Sequence, residues 1–261
     1  MSTKTDQRAK QILQVLLRNA NTSVDELAAL LSASAASVRR DLTRLEGRGL
    51  VRRTHGGAKL AGQTEYEPFR FDSSFQEREG RFAEEKRRIG LVAAELIREH
   101  ETVGFTAGTT TTQAARCIRH RSGIHIITNA VNIGMELNNQ AALDVTLTGG
   151  TMRWAGAFSL TGPTAMEMLS GVFLDKAFIG VCGVDVLRGA TTIEPDEAAV
   201  FRAMVRQAKQ VIVVADSSKI AMISPALICP VNDIDILITD SGIASDARAG
   251  FEAKGIQVLA V

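Results

Sequence analysis

The spacing of apolar residues predicts three helices at the start of the chain. The first two span about residues 6–18 and 24–31. Ser23 is a good N-cap for the second helix, and Ser34 is a good N-cap for the third. In the third helix, Val38, Leu42 and Leu45 recur at the spacing that places them on one face. These apolar faces predict a small helical core.

A change of rhythm after the third helix predicts a β-hairpin. Residues 50–54 and 58–60 have the pattern of two short strands, and His55, Gly56 and Gly57 between them have the pattern of a glycine turn. Two helices joined by a short turn and followed by a basic hairpin are typical of the winged helix-turn-helix, a DNA-binding fold. We therefore predict a winged helix-turn-helix domain over residues 1–60.

The face of the third helix opposite its apolar stripe is basic and carries no acidic residue, because Asp41 falls near the apolar edge, where it can pair with Arg44. Most basic helix faces are only solvated, but the helix-and-hairpin context favours DNA binding here. We expect Arg40, at the centre of the face, to read base edges, since its planar fork matches the paired acceptors of guanine. The other predicted DNA-binding residues lie on this helix or on the wing: Ser34, Ser37, Arg39, Thr43, Arg44, Arg52, Arg53 and His55.

The pattern changes again after residue 60. Residues 61–76 contain glycine, proline and several aromatic residues without sustained periodicity, which predicts an interdomain linker. Residues 77–98 return to a helical rhythm. Beyond residue 99, apolar strands are predicted at 102–105, 125–128, 144–148, 176–181, 210–215, 235–239 and 257–261, with helices near 110–118, 130–138, 163–169, 196–208 and 244–254. This alternation predicts a Rossmann-like, mostly parallel α/β domain over residues 77–261.

Charge is unevenly divided between the two predicted domains. The 261 residues carry 30 Lys and Arg against 29 Asp and Glu, a formal net charge of +1. Residues 1–60 hold 11 basic against 5 acidic residues, hence +6, and the remainder holds 19 against 24, hence −5. A basic N-terminal domain favours DNA binding through counterion release, while an acidic remainder is kept off the duplex.

The cysteines and the N-terminus bear on the compartment. Cys117, Cys182 and Cys229 are far apart, with no C-x-x-C and no histidine at zinc-binding spacing, so we expect buried thiols in a reducing cytosol. The N-terminus has no apolar segment typical of a signal peptide, and no run approaches the ~20 apolar residues of a membrane span. The expectation is a cytoplasmic protein without a metal or cofactor.

Glycines and hydroxyl residues follow several of the predicted strands. Because ligands of such folds bind beyond the carboxyl ends of the strands, these turns should form one site. Glycine lets backbone N–H groups approach a phosphate, threonine adds donors, and a helix N-terminus adds partial positive charge. The residues predicted to bind an anion are Ala107, Gly108, Thr109, Thr110, Thr111, Thr128, Asn129, Thr148, Gly149 and Gly150. Gly183, Asp185 and Lys219 follow two further strands, and carboxylates suit sugar hydroxyls.

Each of these turns alone is also how an ordinary α/β fold connects its elements, but five at one edge favour a small phosphorylated ligand. A dinucleotide is disfavoured, because no G-x-G-x-x-G follows the first predicted strand of the sheet. Nucleotide hydrolysis of the Walker type is excluded, since the chain has no G-x-x-x-x-G-K.

Several motifs in combination resemble the DeoR family of bacterial transcriptional regulators. In the first domain they are VRRDL at 38–42, LEGRGLV at 45–51 and RTHGGA at 53–58. In the second they are Glu85-Lys86, AGTTTT at 107–112, TN at 128–129, LTGG at 147–150, AFIGVCGVD at 177–185, EA at 197–198 and DSSK at 216–219. The resemblance covers nearly the whole chain, in order.

This resemblance implies a repressor of a sugar-catabolic operon. Its second domain would be similar in fold to ribose-5-phosphate isomerase and would bind a phosphorylated sugar that alters operator affinity, which adds Glu197 to the effector-binding residues. Many members carry aspartate where Thr106 stands and lysine where Arg202 stands, so the sugar-facing side of this pocket can differ from theirs. The expected partners are double-stranded operator DNA, a phosphorylated sugar metabolite, and the chain itself as a homodimer or homotetramer.

Two alternatives stay open at this point. One is a sugar-phosphate isomerase in which Asp185, Glu197 and Lys219 transfer protons, although a catalytic domain would not need a winged helix and we assign no catalytic residue. The other is an activator or nucleoid-type DNA binder without a metabolite, which would show no thermal stabilisation by any sugar phosphate.

Overall fold

The structure, a computed structural model of the chain, describes residues 8–9, 11–12, 15–16, 22–47, 51–54, 56–60, 73–119, 121–138, 143–152 and 158–261. The chain divides into two compact units, Met1–Pro68 and Phe69–Val261. Residues 61–72 of the predicted linker lie outside the described residues, and its last four residues, 73–76, are helical.

The N-terminal unit contains helices and a small antiparallel sheet. Helix α1 spans Val24–Leu30, α2 spans Ala35–Gly47, and residues 8, 9, 11, 12, 15 and 16 are helical where the first helix is predicted. Strands β1 (Thr22–Ser23), β2 (Val51–Thr54) and β3 (Gly57–Leu60) pair in the order β1-β3-β2. The predicted apolar positions form the core, with Ile12, Leu16, Leu27, Val38 and Leu42 fully buried. The winged helix-turn-helix prediction is confirmed.

Local hydrogen bonds and one glycine explain where these elements begin and turn. The hydroxyl of Ser23 accepts from Glu26 N at 3.2 Å, and the Glu26 carboxylate accepts from Ser23 N at 2.8 Å, which is a capping box. Strand β1 was not predicted from the sequence. It can pair with β3 because residue 57 is glycine, and a Cβ there would clash with the carbonyl oxygen of Thr22.

The predicted pairing of Asp41 with Arg44 is replaced by a long-range ion pair. Arg8 Nε lies 2.5 Å from Asp41 Oδ2, and Asp41 is 4% exposed. Because Asp41 is next to the apolar stripe of α2, its side chain turns inward and meets a cation of the first helix. Asp41 is therefore neutralised away from the arginine face.

The second unit consists of strands β4 to β15 and helices α3 to α9. The strands are β4 (Thr102–Phe105), β5 (Ile124–Thr128), β6 (Leu143–Leu147), β7 (Thr151–Met152), β8 (Leu160–Thr161), β9 (Lys176–Gly180), β10 (Gly183–Asp185), β11 (Gly189–Thr192), β12 (Val211–Val214), β13 (Ala226–Cys229), β14 (Ile236–Thr239) and β15 (Gln257–Ala260). The helices are α3 (Ser73–Gly80), α4 (Ala83–Glu95), α5 (Thr109–Cys117), α6 (Val131–Leu137), α7 (Pro163–Ser170), α8 (Pro195–Gln207) and α9 (Ser245–Ala253).

The seven predicted strands all form one parallel sheet, in the order β15-β14-β12-β9-β4-β5-β6. Small antiparallel sheets, β10-β11-β13 and β7-β8, were not predicted separately. From β4 the chain proceeds toward one edge through β5 and β6, and from β9 it proceeds toward the other edge. The two directions part between β4 and β9, so this is the topological switch point where α/β folds bind ligands. The α/β fold-class prediction is confirmed.

A single helix was predicted over residues 77–98, and this prediction was wrong. The structure has two helices there, α3 and α4. Phe82 between them has φ +55, a left-handed conformation that is uncommon for residues with a Cβ. The sequence has a helical period on both sides of the break. In α4, the apolar positions of this period, Ile89, Ala93 and Ala94, are buried against the rest of the second unit. The break therefore arises from tertiary contacts, which are described below.

Close packing of α4 on α5 predicts a sharp difference between two glycine substitutions. A Cβ on Gly90 would lie 2.8 Å from the backbone carbon of Gln113, whereas a Cβ on Gly80 would meet nothing within 4 Å. We expect Gly90→Ala to lower the free energy of unfolding by about 1–3 kcal/mol through overpacking. Gly80→Ala is the matched control and should be neutral or slightly stabilising. Urea unfolding followed by circular dichroism measures both, and equal stabilities would contradict the described helix contact.

Candidate functional site

The basic face of α2 is exposed, as predicted. Arg39, Arg40 and Thr43 are exposed and Arg44 is half-buried, while the apolar face of the same helix is fully buried. Among the residues that the structure describes, no carboxylate forms an ion pair with Arg39 or Arg40. Their charge therefore remains directed outward, as binding to a polyanion requires.

Short-range contacts hold this face and the wing together. Ser34 accepts a hydrogen bond from Ser37 N at 3.2 Å and lies 2.9 Å from its hydroxyl, so both serines belong to the cap of α2. The backbone N–H of Arg53 on β2 donates to Glu46 Oε1 at 3.0 Å, and its guanidinium lies 3.5 Å from the hydroxyl of Thr43. His55 and the side chain of Arg52 lie outside the described residues, so their DNA contacts stay predictions.

Arg40 allows a test of base reading against phosphate binding. We expect Arg40→Ala to weaken binding to the specific operator by about 1–3 kcal/mol and to leave binding to random DNA nearly unchanged. Arg87→Ala is the matched control, because Arg87 is an exposed arginine of the other unit. Fluorescence anisotropy with both duplexes at one salt concentration measures the effect. An equal loss of affinity for both duplexes would show that Arg40 contacts only phosphate.

A cavity of about 320 Å³ lies in the second unit at the carboxyl ends of β4 and β9. Its volume is at the lower end of the range of small-molecule pockets. The lining combines polar and charged residues with apolar ones, among them three phenylalanines. It consists of Phe75, Arg78, Arg81, Phe82, Lys86, Ala107, Gly108, Thr109, Thr110, Gly180, Val181, Cys182, Thr192, Glu197, Phe201, Asp216, Ser218 and Lys219.

The start of α5 forms the floor of the cavity. Gly108 is its N-cap, and Thr109 and Thr110 are its first residues, so N–H groups without helical partners and a partial positive charge meet there. A Cβ on Gly108 would lie 3.0 Å from the hydroxyl of Thr111. The turn is thus tight at Gly108, and the start of the helix presents backbone donors to the cavity.

Charged side chains surround this floor with an excess of positive charge. Arg78, Arg81, Lys86 and Lys219 line the cavity against Asp216 and Glu197, a formal excess of two. Asp216 is 2% exposed, and its carboxylate accepts from Ser218 N at 3.2 Å and from the Ser218 hydroxyl. A dianionic group such as a phosphate would balance this charge.

Lys86 is the most constrained of these cations. Its ammonium donates to the carbonyl of Arg78 and, at 2.7 Å, to the carbonyl of Arg81, and it lies 3.9 Å from Asp216 Oδ2. Burial lowers the pKa of Lys86, and the Asp216 carboxylate offsets part of this effect. Lys86 thus ties the loop before α4 to the end of β12.

Six of the predicted effector-binding residues line this one cavity. They are Ala107, Gly108, Thr109, Thr110, Glu197 and Lys219. The other eight, Thr111, Thr128, Asn129, Thr148, Gly149, Gly150, Gly183 and Asp185, lie outside its lining. Their hydrogen bonds and backbone angles show what they do instead.

Asn129 and Thr128 support the floor from behind. Asn129 is fully buried, its Oδ1 accepts from Ala107 N at 3.0 Å, and its amide donates to Ser159 Oγ at 2.9 Å and Leu160 O at 3.1 Å. The Thr128 hydroxyl donates to Phe105 O at 2.7 Å. Thr111 is also buried and donates to Gly108 O at 2.9 Å. These side chains shape the turn that carries the lining residues.

The remaining five residues do not line the cavity and lie in turns or at the ends of short strands. Gly149 and Gly150 have φ +69 and +110, and the Thr148 hydroxyl donates to Gly149 O at 3.1 Å. A Cβ on Gly183 would clash with the carbonyl oxygen of Met222. Asp185 Oδ1 accepts from Leu187 N at 2.8 Å and Arg188 N at 2.9 Å in the β10–β11 turn. Turn geometry and close backbone approach are what the structure shows at these positions, and effector binding by them stays a prediction.

Thr106 and Arg202, where this chain departs from the family pattern, also lie outside the lining. The Thr106 hydroxyl accepts from Gly180 N at 2.8 Å and so bridges the ends of β4 and β9. Arg202 donates through Nε to Ile228 O at 3.2 Å and through a terminal nitrogen to Leu227 O. Neither residue is among those that line this cavity, and their effect on its sugar-facing side stays a prediction.

Sequence reasoning missed the wall contributed by residues 73–86. Phe75, Arg78, Arg81 and Phe82 line the cavity, although the segment was predicted to be the end of the linker and the start of one surface or interdomain helix. Two features of the sequence could have indicated this wall. They are the aromatic residues of the predicted linker region, and Arg78 and Arg81 shortly before Glu85-Lys86. Among the described residues, no group of three or more His, Cys, Asp or Glu side chains is arranged to hold a metal ion. In the same described parts of the chain, no helix is both long and apolar enough to cross a bilayer.

The cysteines give a test of access to the cavity. Cys182 lines the cavity, whereas burial, reinforced by Asp233, raises the pKa of Cys229 to about 12. Because the thiolate is the reactive form, about one Cys229 in ten thousand is ionised at pH 8. We expect iodoacetamide to alkylate Cys182 and spare Cys229 until the chain is unfolded, as peptide mass spectrometry measures. Alkylation of Cys229 before Cys182 in the folded protein would contradict the described burial.

The exposed arginine face and the cavity at the switch point define a winged helix-turn-helix transcriptional regulator with an α/β sensor domain. The sequence matches the DeoR-like helix-turn-helix domain over residues 8–64 and the DeoR C terminal sensor domain over residues 81–241. The chain therefore belongs to the DeoR family and is a transcriptional regulator rather than an enzyme.

Curated relatives match along nearly the whole chain. The HTH-type transcriptional regulator GlpR of Haloferax volcanii is 35% identical over 97% of this chain and 96% of its own. The putative aga operon transcriptional repressor of Escherichia coli O157:H7 is 33% identical over 99% and 95%. The HTH-type transcriptional repressor GlcR of Bacillus subtilis is 35% identical over 90% and 88%.

Solved structures match only distantly. Ribose 5-phosphate isomerase A of Methanocaldococcus jannaschii is 15% identical over 53% of this chain and 55% of that chain, with a TM-score of 0.39. The full-length sorbitol operon regulator SorC of Klebsiella pneumoniae is 12% identical over 96% and 100%, with a TM-score of 0.41. Likenesses this distant support no conclusion about function.

Proposed function

We propose that this regulator represses a sugar-catabolic operon and that a phosphorylated sugar, bound in the 320 Å³ cavity, controls its affinity for the operator. The observation that carries the proposal is the chemistry of the cavity. A helix N-terminus, Lys219 and two arginines supply positive charge, and Glu197 and Asp216 supply hydrogen-bond acceptors within the same enclosed space. An ester with a phosphate at one end and hydroxyls at the other has the complementary charges.

The phosphate would bind at the start of α5. Backbone N–H groups after Gly108 and the hydroxyls of Thr109 and Thr110 are donors of the kind that bind phosphate at helix N-termini. Lys219 adds a point charge from the segment after β12. Glu197, at the start of α8, would accept from sugar hydroxyls, because an ionised carboxylate has only acceptors to offer.

The names of the relatives support repression of an operon. Two of the three are named repressors, and one of these is named for the aga operon. A ligand can change operator affinity only if it binds two conformations of the regulator with different affinity. We also propose a symmetric homo-oligomer, since helix-turn-helix dimers read two half-sites of an operator.

A thermal-shift screen tests the ligand class. At saturation about a hundredfold above Kd, a phosphorylated sugar should raise the unfolding temperature by roughly 5 °C or more, since such binding contributes about 2.7 kcal/mol. The unphosphorylated sugar should not. Lys219→Met should weaken binding roughly tenfold to a hundredfold through loss of a charged hydrogen bond. Lys254→Met, at an exposed lysine after α9, is the matched control and should bind normally.

Operator gel shifts with each ligand of the screen then test control. A phosphorylated sugar that stabilises the protein should also change the fraction of operator bound, and Lys219→Met should shift that response to higher ligand concentration. Stabilisation by no member of a panel of triose, pentose and hexose phosphates would favour a DNA binder without a metabolite. Stabilisation without any change in operator binding would contradict the regulatory part of the proposal.

A further inference from the structure

Residues 73–86 form a distinct wall of the cavity, named here the hinge segment. It comprises α3, the break at residues 81–82 and the first turn of α4. Arg116 of α5 pairs with Glu79 of α3 at 2.5 Å and with Glu136 of α6 at 2.7 Å, so α3 lies against the helix that forms the cavity floor. Along the chain, α3 is the first described element after the DNA-binding unit.

The break in the hinge segment is short, and one of its two residues is left-handed. The N–H of Arg81 still donates to Glu77 O at 3.1 Å, as in α3, and the N–H of Lys86 already donates to Phe82 O at 2.9 Å, as in α4. Between these bonds only Phe82 is left-handed. The sequence pattern is helical on both sides, so a change of Phe82 to the right-handed region would join α3 and α4 into one helix.

The ammonium of Lys86 holds the carbonyl groups that this break affects. In a continuous helix, the carbonyls of Arg78 and Arg81 would accept from the N–H groups of Phe82 and Glu85. Instead, both carbonyls accept from Lys86 Nζ. Lys86 is buried, and its side chain also lines the cavity in which Lys219 and α5 present positive charge. The same ammonium is therefore within reach of both the hinge carbonyls and an anion in the cavity.

We propose that Lys86 is the positioning residue that couples the bound phosphate ester to the conformation of the hinge segment. It holds the break open through two carbonyls, and an anion in the cavity competes with them for the ammonium. When the anion binds the ammonium in place of the carbonyls, Phe82 becomes right-handed and α3 and α4 join into one helix. The direction of α3 relative to α4 changes as a result. This inference rests on the proposed function, because it requires an anionic ligand in the cavity.

Hydrogen exchange of the full-length protein tests the coupling. Inorganic phosphate is compared with chloride at equal ionic strength, using wild type, Lys86→Met and the matched control Arg87→Met, which removes an exposed cation one residue away. In wild type and Arg87→Met, we expect phosphate to protect the amides at the start of α5 and those of Phe82 and Glu85. In Lys86→Met, the hinge amides should be protected without phosphate and respond no further, while the start of α5 still responds.

A second pair of variants keeps the test decisive where Lys86→Met does not fold. Phe82→Gly removes the free-energy cost of the left-handed conformation and so stabilises the broken form. The hinge response should therefore need at least roughly fivefold more phosphate than in wild type. Phe82→Ala removes the same ring but keeps the unfavourable left-handed backbone, and it should not need more phosphate than wild type. A difference between glycine and alanine would show that the left-handed backbone of residue 82 takes part in the hinge response.

Three results would each overturn the inference and leave the proposed function standing. The first is protection of the start of α5 with no change at Phe82 and Glu85 in wild type. The second is an unchanged hinge response in Lys86→Met, and the third is equal phosphate requirements for the glycine and alanine variants. If phosphate protects neither region and no sugar phosphate stabilises the protein, the proposed function itself fails, and the inference fails with it.

Discussion

The direct pairing of β4 with β9 in the middle of the parallel sheet is the constraint on which the cavity depends. Phe105 and Phe178 of these strands stack at 5.1 Å, and the Thr106 hydroxyl accepts from Gly180 N just beyond them. Since the chain leaves these two strands toward opposite edges of the sheet, their following loops separate and open a crevice. The glycines at 108 and 180 keep the two loop backbones close enough to line it together.

The sequence predicted the elements of this fold because most of them are encoded locally. Short segments rich in apolar residues marked every strand of the seven-stranded sheet, and capping serines marked the starts of α1 and α2. The order of the strands is not encoded in this way. The turns after β5 and β6 were grouped with the turn after β4, yet these strands lie one and two positions from β4 on the side away from β9. At about 4.8 Å per strand, the turn after β5 supports the site from behind, and the turn after β6 lies farther from it.

Long-range ion pairs and hydrogen bonds account for what local patterns could not predict. Asp41 could pair with Arg44 one turn away, but burial next to the apolar stripe brings it to Arg8. Residues 77–98 have one helical rhythm, but the ammonium of Lys86, 3.9 Å from Asp216, holds the carbonyls of Arg78 and Arg81 and interrupts it. In both cases a buried charge finds its partner far away in sequence, because an unpaired charge in the interior is expensive. The aromatic and arginine wall of the cavity follows from the second case.

The free-energy cost of the left-handed residue between α3 and α4 is of the size that regulation by a ligand requires. A residue with a Cβ in the left-handed region costs about 1–2 kcal/mol, and couplings between two ligand sites in regulatory proteins are typically about 1–3 kcal/mol. A much larger cost would need a ligand with an improbable difference in affinity between the two conformations, because a ligand shifts an equilibrium only by that difference. A much smaller cost would leave both conformations populated whether or not the ligand is bound. One strained backbone residue, next to carbonyls that one buried ammonium holds at the edge of the cavity, lies between these limits. Under the proposed function, a ligand of this cavity would have to supply only this difference, without rearranging the parallel sheet.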